Sequence, residues 1–205
     1  LPRLPIEFDG LTVLHCSDAH AVPGDRSGAA AVARAARIRA DLVCMTGDYA
    51  DLPGDTSLAV DLFRAARGRI GTFGVLGNHD YNATPDRWLD IIFSDEVAGA
   101  VASELEASGI TMLRNEAVPL RRGDATLWIV GLDDPHTFHH DIDRALGGVP
   151  VGAPSIVLAH SWEPSVEAAE RGAILYLCGH THGGQVRLPF FDAVLHNTHR
   201  TPPRV

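Results

Sequence analysis

Five short clusters of carboxylate, imidazole and amide side chains each follow an apolar run of the sequence. The clusters are Asp18-Ala19-His20, Gly47-Asp48, Gly77-Asn78-His79-Asp80, His160, and Gly179-His180-Thr181-His182-Gly183-Gly184-Gln185. In open α/β sheets, ligands bind beyond the carboxyl ends of the strands. If each apolar run is a strand of such a fold, the five clusters converge on one site.

The side chains in these clusters suit divalent metal ions. Carboxylates, imidazoles and the amide of Asn78, with no thiolate among them, favour Mn, Fe or Zn in a catalytic site over a structural zinc site. Two ions about 3.5–4 Å apart need one bridging carboxylate and further ligands on each ion. Asp48 is the natural bridge. The Asp-x-His and His-x-His spacings help, because alternate residues of an extended segment point the same way.

Strands must position these clusters, and the sequence alternates short apolar runs with helical stretches from end to end, which predicts an α/β layered domain. The predicted buried strands are residues 11–16, 42–46, 72–76, 127–130, 155–159 and 174–178. The predicted helices are residues 29–40, residues 57–67, and a stretch that opens at the cap Thr84-Pro85-Asp86 and ends by Gly109.

The sequence changes character over residues 111–131. Short strands at 112–113, 118–120 and 127–130 are separated by polar turns such as Arg122-Gly123-Asp124. This pattern predicts a second sheet that contains hairpins. No internal repeat or Ser/Gly linker marks a boundary, and 205 residues suit one domain. We therefore expect residues 1–205 to form a single domain.

The composition excludes several classes of protein. With 45% hydrophobic residues the chain can build a core, so intrinsic disorder is excluded. The net charge of −9 argues against bulk binding of nucleic acid through its phosphates. The three cysteines lie singly in apolar runs and form no disulfide framework, which favours a reducing compartment.

The sequence leaves the cellular location open between the cytoplasm and the periphery of a membrane. No stretch approaches the roughly 20 apolar residues of a membrane span. The sequence starts at Leu1 without a signal-peptide pattern, so we expect any upstream signal or anchor to have been removed or omitted. Such a missing N-terminal segment would allow contact with a membrane surface.

The ordered motifs resemble those of the calcineurin-like metallophosphoesterase family. Its Asp-x-His, Gly-Asp, Gly-Asn-His-Asp/Glu, His and Gly-His-x-His motifs appear in order over nearly all of the chain, and Gly-His-Thr-His-Gly-Gly-Gln is especially specific. The sequence resembles a bacterial branch of cell-envelope phosphodiesterases that includes UDP-diacylglucosamine pyrophosphatases. The segment Gly131-Leu132-Asp133-Asp134-Pro135 supports that branch.

The resemblance implies a fold, a cofactor and a role for each residue. The implied fold is α/β, a four-layer αββα sandwich of two mixed β-sheets flanked by helices. Two divalent metal ions, Mn before Fe or Zn, are implied, with a metal-bridging hydroxide as nucleophile. One ion would be held by Asp18, His20, Asp48 and His182, and the other by Asp48, Asn78, His160 and His180. His79 would be the uncoordinated catalytic histidine, oriented by Asp80.

The end of the chain departs from the family pattern. Family members continue past the Gly-Gly-Gln segment into further strands, whereas this sequence stops at Val205. Either the C-terminal strands are missing from the sequence, or the second sheet is completed differently.

The resemblance implies hydrolysis of a phosphodiester or pyrophosphate bond in a small or lipid-linked substrate. One alternative is a phosphomonoesterase or protein phosphatase, although Tyr81-Asn82-Ala83 stands where protein phosphatases usually carry Arg-bearing extensions. Another is a non-catalytic scaffold that keeps the metal site. The oligomeric state is not indicated.

Three histidines surround Phe138 in a segment that follows the predicted strand at 127–130. His136, His139 and His140 are placed to line the mouth of the site, but a solvated loop without a ligand role is the favoured interpretation. For any single histidine, an ordinary structural role is the simpler explanation, and the metal site is favoured because the motifs occur jointly and in order.

Overall fold

The computed structural model describes residues 1–22, 24–51, 56–84 and 92–182, together with two short C-terminal strands.

Three helical crossovers connect the strands of the first sheet. In this sheet the order is β1-β2-β3-β4, and every pair is parallel. The strands are β1 (Val13–Cys16), β2 (Leu42–Thr46), β3 (Gly71–Val75) and β4 (Thr111–Met112), and the helices between them are α1 (Arg26–Ala35), α2 (Ser57–Ala65) and α3 (Asp95–Ala107).

The second sheet begins with the predicted hairpin. Its order is β5-β6-β7-β8, with β5 antiparallel to β6 and the remaining pairs parallel. The strands are β5 (Glu116–Arg122), β6 (Ala125–Gly131), β7 (Ser155–Leu158) and β8 (Ala173–Leu177), and the helices are α4 (Ile142–Leu146) and α5 (Ser165–Glu170). The strands β9 (Val186–Arg187) and β10 (Ala193–Leu195) pair with each other and antiparallel.

Three hydrophobic cores separate four layers. Alternation along β2 sends Val43 and Met45 into a core beneath the helices, while Leu42 and Cys44 enter a core between the sheets. A third core joins the second sheet to α4 and α5. The four-layer αββα fold is therefore confirmed. Of the two sheets expected to be mixed, the first is parallel throughout its described strands, because each of its connections contains a crossover helix.

Two helix boundaries differ from the sequence prediction. Helix α1 begins at Arg26, because the Asp25 side chain accepts backbone N–H groups of the first turn, and it ends at Ala35 rather than at residue 40. Helix α3 begins at Asp95, where the Ser94 side chain accepts the N–H of Val97. The predicted start at Thr84 leads into residues 85–91, which lie outside the described residues.

Neither a membrane helix nor a disulfide is formed by the residues that the structure describes. None of the helices in this part of the chain has the length and apolarity needed to cross a bilayer. Cys44 is buried between the sheets, Cys16 and Cys178 are half-buried, and all three thiols are free.

Asp41 ties the start of β2 to β1. Its carboxylate accepts both the backbone N–H of Thr12, at 2.9 Å, and the Thr12 hydroxyl, at 2.8 Å. The guanidinium of Arg69 donates to the other carboxylate oxygen through Nε at 3.1 Å. The Thr12 backbone bond, the Thr12 hydroxyl and Arg69 together lower the pKa of Asp41 to about 2. The ionised carboxylate thus stabilises the folded chain at neutral pH.

We expect Asp41→Asn to lower the stability at pH 7, with the difference from wild type shrinking in acid. The folded pKa of about 2 lies below the unfolded value of about 3.9, so the stabilisation is present above about pH 4 and is lost as the pH falls through about 2. Urea unfolding between pH 7 and pH 2.5 measures this, with the exposed turn residue Asp124→Asn as control. A difference that stays constant over this range would contradict the charge-based account.

Candidate metal centre

The polar clusters that follow the strands lie at one edge of the two sheets. Two clusters follow strands of the first sheet directly, and a third forms the 3₁₀ turn Asn78–Tyr81 just beyond β3. The remaining two follow the parallel strands β7 and β8 of the second sheet, and the last cluster is described as far as His182, since Gly183, Gly184 and Gln185 lie outside the described residues. The residues so placed are Asp18, His20, Asp48, Asn78, His79, Asp80, His160, His180 and His182.

Asp18, His20 and His182 form a partly exposed group of potential metal ligands. Their donor atoms all lie within 4.8 Å of one another. His182 Nε2 is 3.2 Å from Asp18 Oδ1 and 3.2 Å from His20 Nε2. Two imidazole nitrogens and a carboxylate oxygen therefore face a common point near the protein surface.

Asp48, His160 and His180 form a second group, which is fully buried. His160 Nε2 lies 3.2 Å from Asp48 Oδ2 and 3.0 Å from His180 Nδ1. The same Asp48 Oδ2 is 3.5 Å from His20 Nε2 of the first group. Asp48 thus stands between the two groups, where the sequence predicts the bridging carboxylate.

The donor set fits divalent cations. The Asn78 side-chain oxygen is buried and has no hydrogen-bond partner among the described residues, which suits a metal ligand. Burial raises the pKa of Asp48, but the facing His160, together with His79 and His20, outweighs burial and holds that pKa below its usual range. An ionised carboxylate facing imidazole nitrogens is a ligand set that Mn, Fe and Zn accept.

Two of the imidazoles are oriented by bonds on their other nitrogen. His160 Nδ1 lies 2.6 Å from the carbonyl oxygen of Thr46, which leaves Nε2 to face the buried group. His20 Nδ1 lies 2.6 Å from Asp51 Oδ1, which leaves Nε2 to face the first group. Such partners fix the tautomer of a metal-binding histidine.

Asp51 is a site residue that the sequence analysis missed. Besides its bond to His20, its carboxylate lies 3.5 Å from His79 Nδ1. His20, Asp51 and His79 form a further group whose donor atoms lie within 4.8 Å of one another. The available signal was its position three residues after Asp48, in the loop that follows the same strand.

Asp80 is placed differently from the sequence expectation that it orients His79. Its carboxylate accepts three backbone N–H groups, those of Asp48, Tyr49 and Gly77, at 2.8–2.9 Å. Asp80 therefore joins the turns after β2 and β3. Burial and the neighbouring Asp48 raise the pKa of Asp80, while these N–H donors favour its charged form. The carboxylate beside the His79 ring is that of Asp51.

Backbone strain is concentrated at the candidate ligands. Eight non-glycine residues of the described chain have positive φ, and five of them belong to the ligand set: Asp18, His20, Asp48, His180 and His182. This left-handed region is unfavourable for side chains with a Cβ, and such strain clusters at functional sites. At Gly179, a Cβ atom would collide with the side chains of Ser17 and Asp18, so glycine is needed for that close approach.

The three histidines around Phe138 have different surroundings. The exposed His140 alone fits the expected solvated loop. The ring of His139 stacks on Tyr81 with centroids 4.6 Å apart, and its Nε2 is 2.8 Å from Asp95 Oδ1. His136 is turned inward and lies against the ring of His180.

Sequence comparisons relate the chain to known phosphoesterases. The calcineurin-like phosphoesterase family matches residues 11–184. The metallophosphoesterase YkuE of Bacillus subtilis is 28% identical over an alignment of 207 residues, gaps included. The alignment covers 98% of this chain and 66% of YkuE. The phosphodiesterase YaeI of Escherichia coli is 28% identical over 161 residues, which cover 78% of this chain and 55% of YaeI. The chain thus spans less than two thirds of the length of either relative.

A solved structure has the same fold. The phosphopantetheinyl hydrolase PptH of Mycobacterium tuberculosis aligns with a TM-score of 0.58 and 14% identity, covering 83% of each chain. At this identity the similarity concerns the arrangement of the sheets and helices alone.

Proposed function

Because the chain belongs to the calcineurin-like phosphoesterase family, we propose that it is a metal-dependent phosphoric ester hydrolase with a dinuclear centre that cleaves a phosphodiester or pyrophosphate bond. The observation that carries the proposal is the position of Asp48 Oδ2, which is 3.2 Å from His160 Nε2 and 3.5 Å from His20 Nε2. One carboxylate oxygen therefore lies close to donor atoms of both groups.

The residues divide into two ligand sets that share Asp48. The first set would be Asp18, His20, Asp48 and His182, and the second Asp48, Asn78, His160 and His180, with manganese as the preferred metal before iron or zinc. When bound, such ions polarise phosphoryl oxygens and lower the pKa of water. The buried set is closed to solvent, whereas the His182 side chain is 45% exposed, so substrate would approach over the first set.

His79 is the group best placed to handle a proton. Its side chain is 33% exposed, and its Nδ1 lies 3.5 Å from the Asp51 carboxylate. That contact leaves Nε2 as the nitrogen available to a substrate oxygen. An imidazole held in this way donates a proton to the leaving group or binds a phosphoryl oxygen.

The relatives and the charge of the chain support the substrate class. YaeI is named a phosphodiesterase, and the net charge of −9 does not favour a nucleic-acid backbone as substrate. We therefore propose a small or lipid-linked phosphodiester or pyrophosphate. A closer relation to the UDP-diacylglucosamine pyrophosphatases and an association with membranes stay predictions.

A substrate panel tests the proposed function. Protein purified without chelator is analysed for metals, and hydrolysis of bis-p-nitrophenyl phosphate, p-nitrophenyl phosphate and a phosphopeptide is measured with and without added Mn²⁺. We expect metal-dependent cleavage with the diester preferred. Rapid phosphopeptide turnover without diester cleavage would identify a protein phosphatase instead. Bound metal without turnover of any of the three compounds would favour a scaffold.

A further inference from the structure

The ring of His180, a candidate ligand in the buried group, is packed against a second imidazole. The ring centroids of His136 and His180 lie 4.1 Å apart, with an angle of 35° between the planes. His180 is 4% exposed, and the side chain of His136 is 14% exposed. The two residues come from different strand ends, since His136 follows β6 and His180 follows β8. The contact therefore joins two loops at the buried side of the site.

His136 is itself held in place. Its Nε2 lies 3.6 Å from Glu163 Oε1, and Glu163 is three residues beyond His160. Interaction with His136 contributes to a pKa of about 2 for Glu163, although burial opposes it, so the carboxylate is charged. The turn that carries His136 is fixed as well, because the Asp134 carboxylate accepts the N–H of Thr137 at 2.7 Å.

A comparison with the other ligand candidates suggests the role of this contact. His20 is oriented by Asp51 and His160 by the Thr46 carbonyl, in each case through the Nδ1 atom. In His180 the Nδ1 atom instead faces His160 within the buried group. His136 contacts the face of the His180 ring. Packing by a fixed ring restricts rotation of the His180 imidazole, in addition to its contact with His160.

We propose that His136, anchored by Glu163, is a positioning residue that fixes the ring of His180 for metal binding. The inference rests on the proposed dinuclear function, and it concerns the affinity of the buried site. Loss of a partner that orients a metal-binding histidine typically weakens metal affinity by about 10–100-fold. We expect a loss of this size at one of the two sites.

Titration of the metal-stripped chain with Mn²⁺, followed by calorimetry, tests the proposal. In wild type we expect two binding events. In His136→Ala the affinity of one event falls by about 10–100-fold and the other stays unchanged. His136→Phe keeps an aromatic ring against His180 but loses the contact with Glu163, so its loss at the same event should be smaller than that of His136→Ala. The matched control is His140→Ala, because His140 is exposed on the same loop, and both of its affinities should equal those of wild type.

Several outcomes would overturn the positioning role. Unchanged affinities in His136→Ala would do so, as would a His136→Phe variant as weak as His136→Ala. Melting temperatures of the metal-free variants separate this role from general stability, because equal weakening of both sites together with a lower melting temperature would show collapse of the loop. If His136→Ala does not fold, Glu163→Gln replaces it, with a smaller selective loss expected. Wild-type protein that binds no Mn²⁺ would contradict the proposed function and the positioning role together.

Discussion

Asp48→Ala is expected to remove both metal ions together and to abolish hydrolysis, whereas a change in a ligand of one group should remove one ion. The reason is geometric, because Asp48 Oδ2 lies within 3.5 Å of imidazole nitrogens of both groups. Removing a shared ligand weakens two sites at once. Since loss of an outer partner alone costs about 10–100-fold in metal affinity or activity, we expect the loss of this direct ligand to cost more.

Elemental analysis of protein purified without chelator measures this result. His182→Ala is the matched variant, because His182 belongs to the exposed group only and should leave the buried ion in place. Asp48→Asn controls for structure, since Asp48 Oδ1 also accepts the N–H of His79 at 2.9 Å and an amide oxygen keeps that bond. If Asp48→Ala retained both ions, Asp48 would not be the bridge.

The most deeply buried strands were predictable because burial on both faces leaves a simple signal in the sequence. β2 and β7 are buried at every position, and such strands appear in sequence as short continuous apolar runs. The end of a strand is also marked by the change from apolar to polar residues, so the meeting of the five clusters could be predicted. The ends of the helices could not be predicted in the same way, because several neighbouring residues compete as possible helix caps. Asp25 and Ser94 start α1 and α3 at positions that periodicity alone does not distinguish.

The roles of the supporting residues depend on contacts that sequence neighbourhood does not reveal. Asp80 is next to His79 in the chain, yet its carboxylate turns back to three backbone N–H groups, because a buried carboxylate needs such donors. His136 and Glu163 are 27 residues apart, and only the folding of two loops against each other brings them together. Asp51 is the exception, because its position three residues after Asp48 is visible in the sequence.

The separation of metal binding from proton transfer rests on His79. Its ring meets the ring of His20 edge to face at 4.7 Å, and its Nδ1 approaches Asp51. His79 is absent from the two groups that contain Asp18 and Asp48, although it shares the further group with His20 and Asp51. Its neighbour Asn78 is buried, whereas the side chain of His79 is about one third exposed. The two adjacent side chains therefore face different surroundings, as ligand and proton donor should.

His79→Gln is accordingly expected to keep both metal ions and the fold while kcat falls by about 10²–10⁴, the usual contribution of general acid–base catalysis. The loss should be larger for an alkyl phosphodiester than for bis-p-nitrophenyl phosphate, because p-nitrophenolate leaves without needing a proton. Asp51→Asn should give a smaller fall in kcat together with weaker metal binding, since Asp51 contacts both His79 and His20. Metal analysis and kinetics on both substrates measure these effects. A loss of bound metal in His79→Gln as large as the loss of activity would make His79 a ligand, and the group of His20, Asp51 and His79 would then be a metal site.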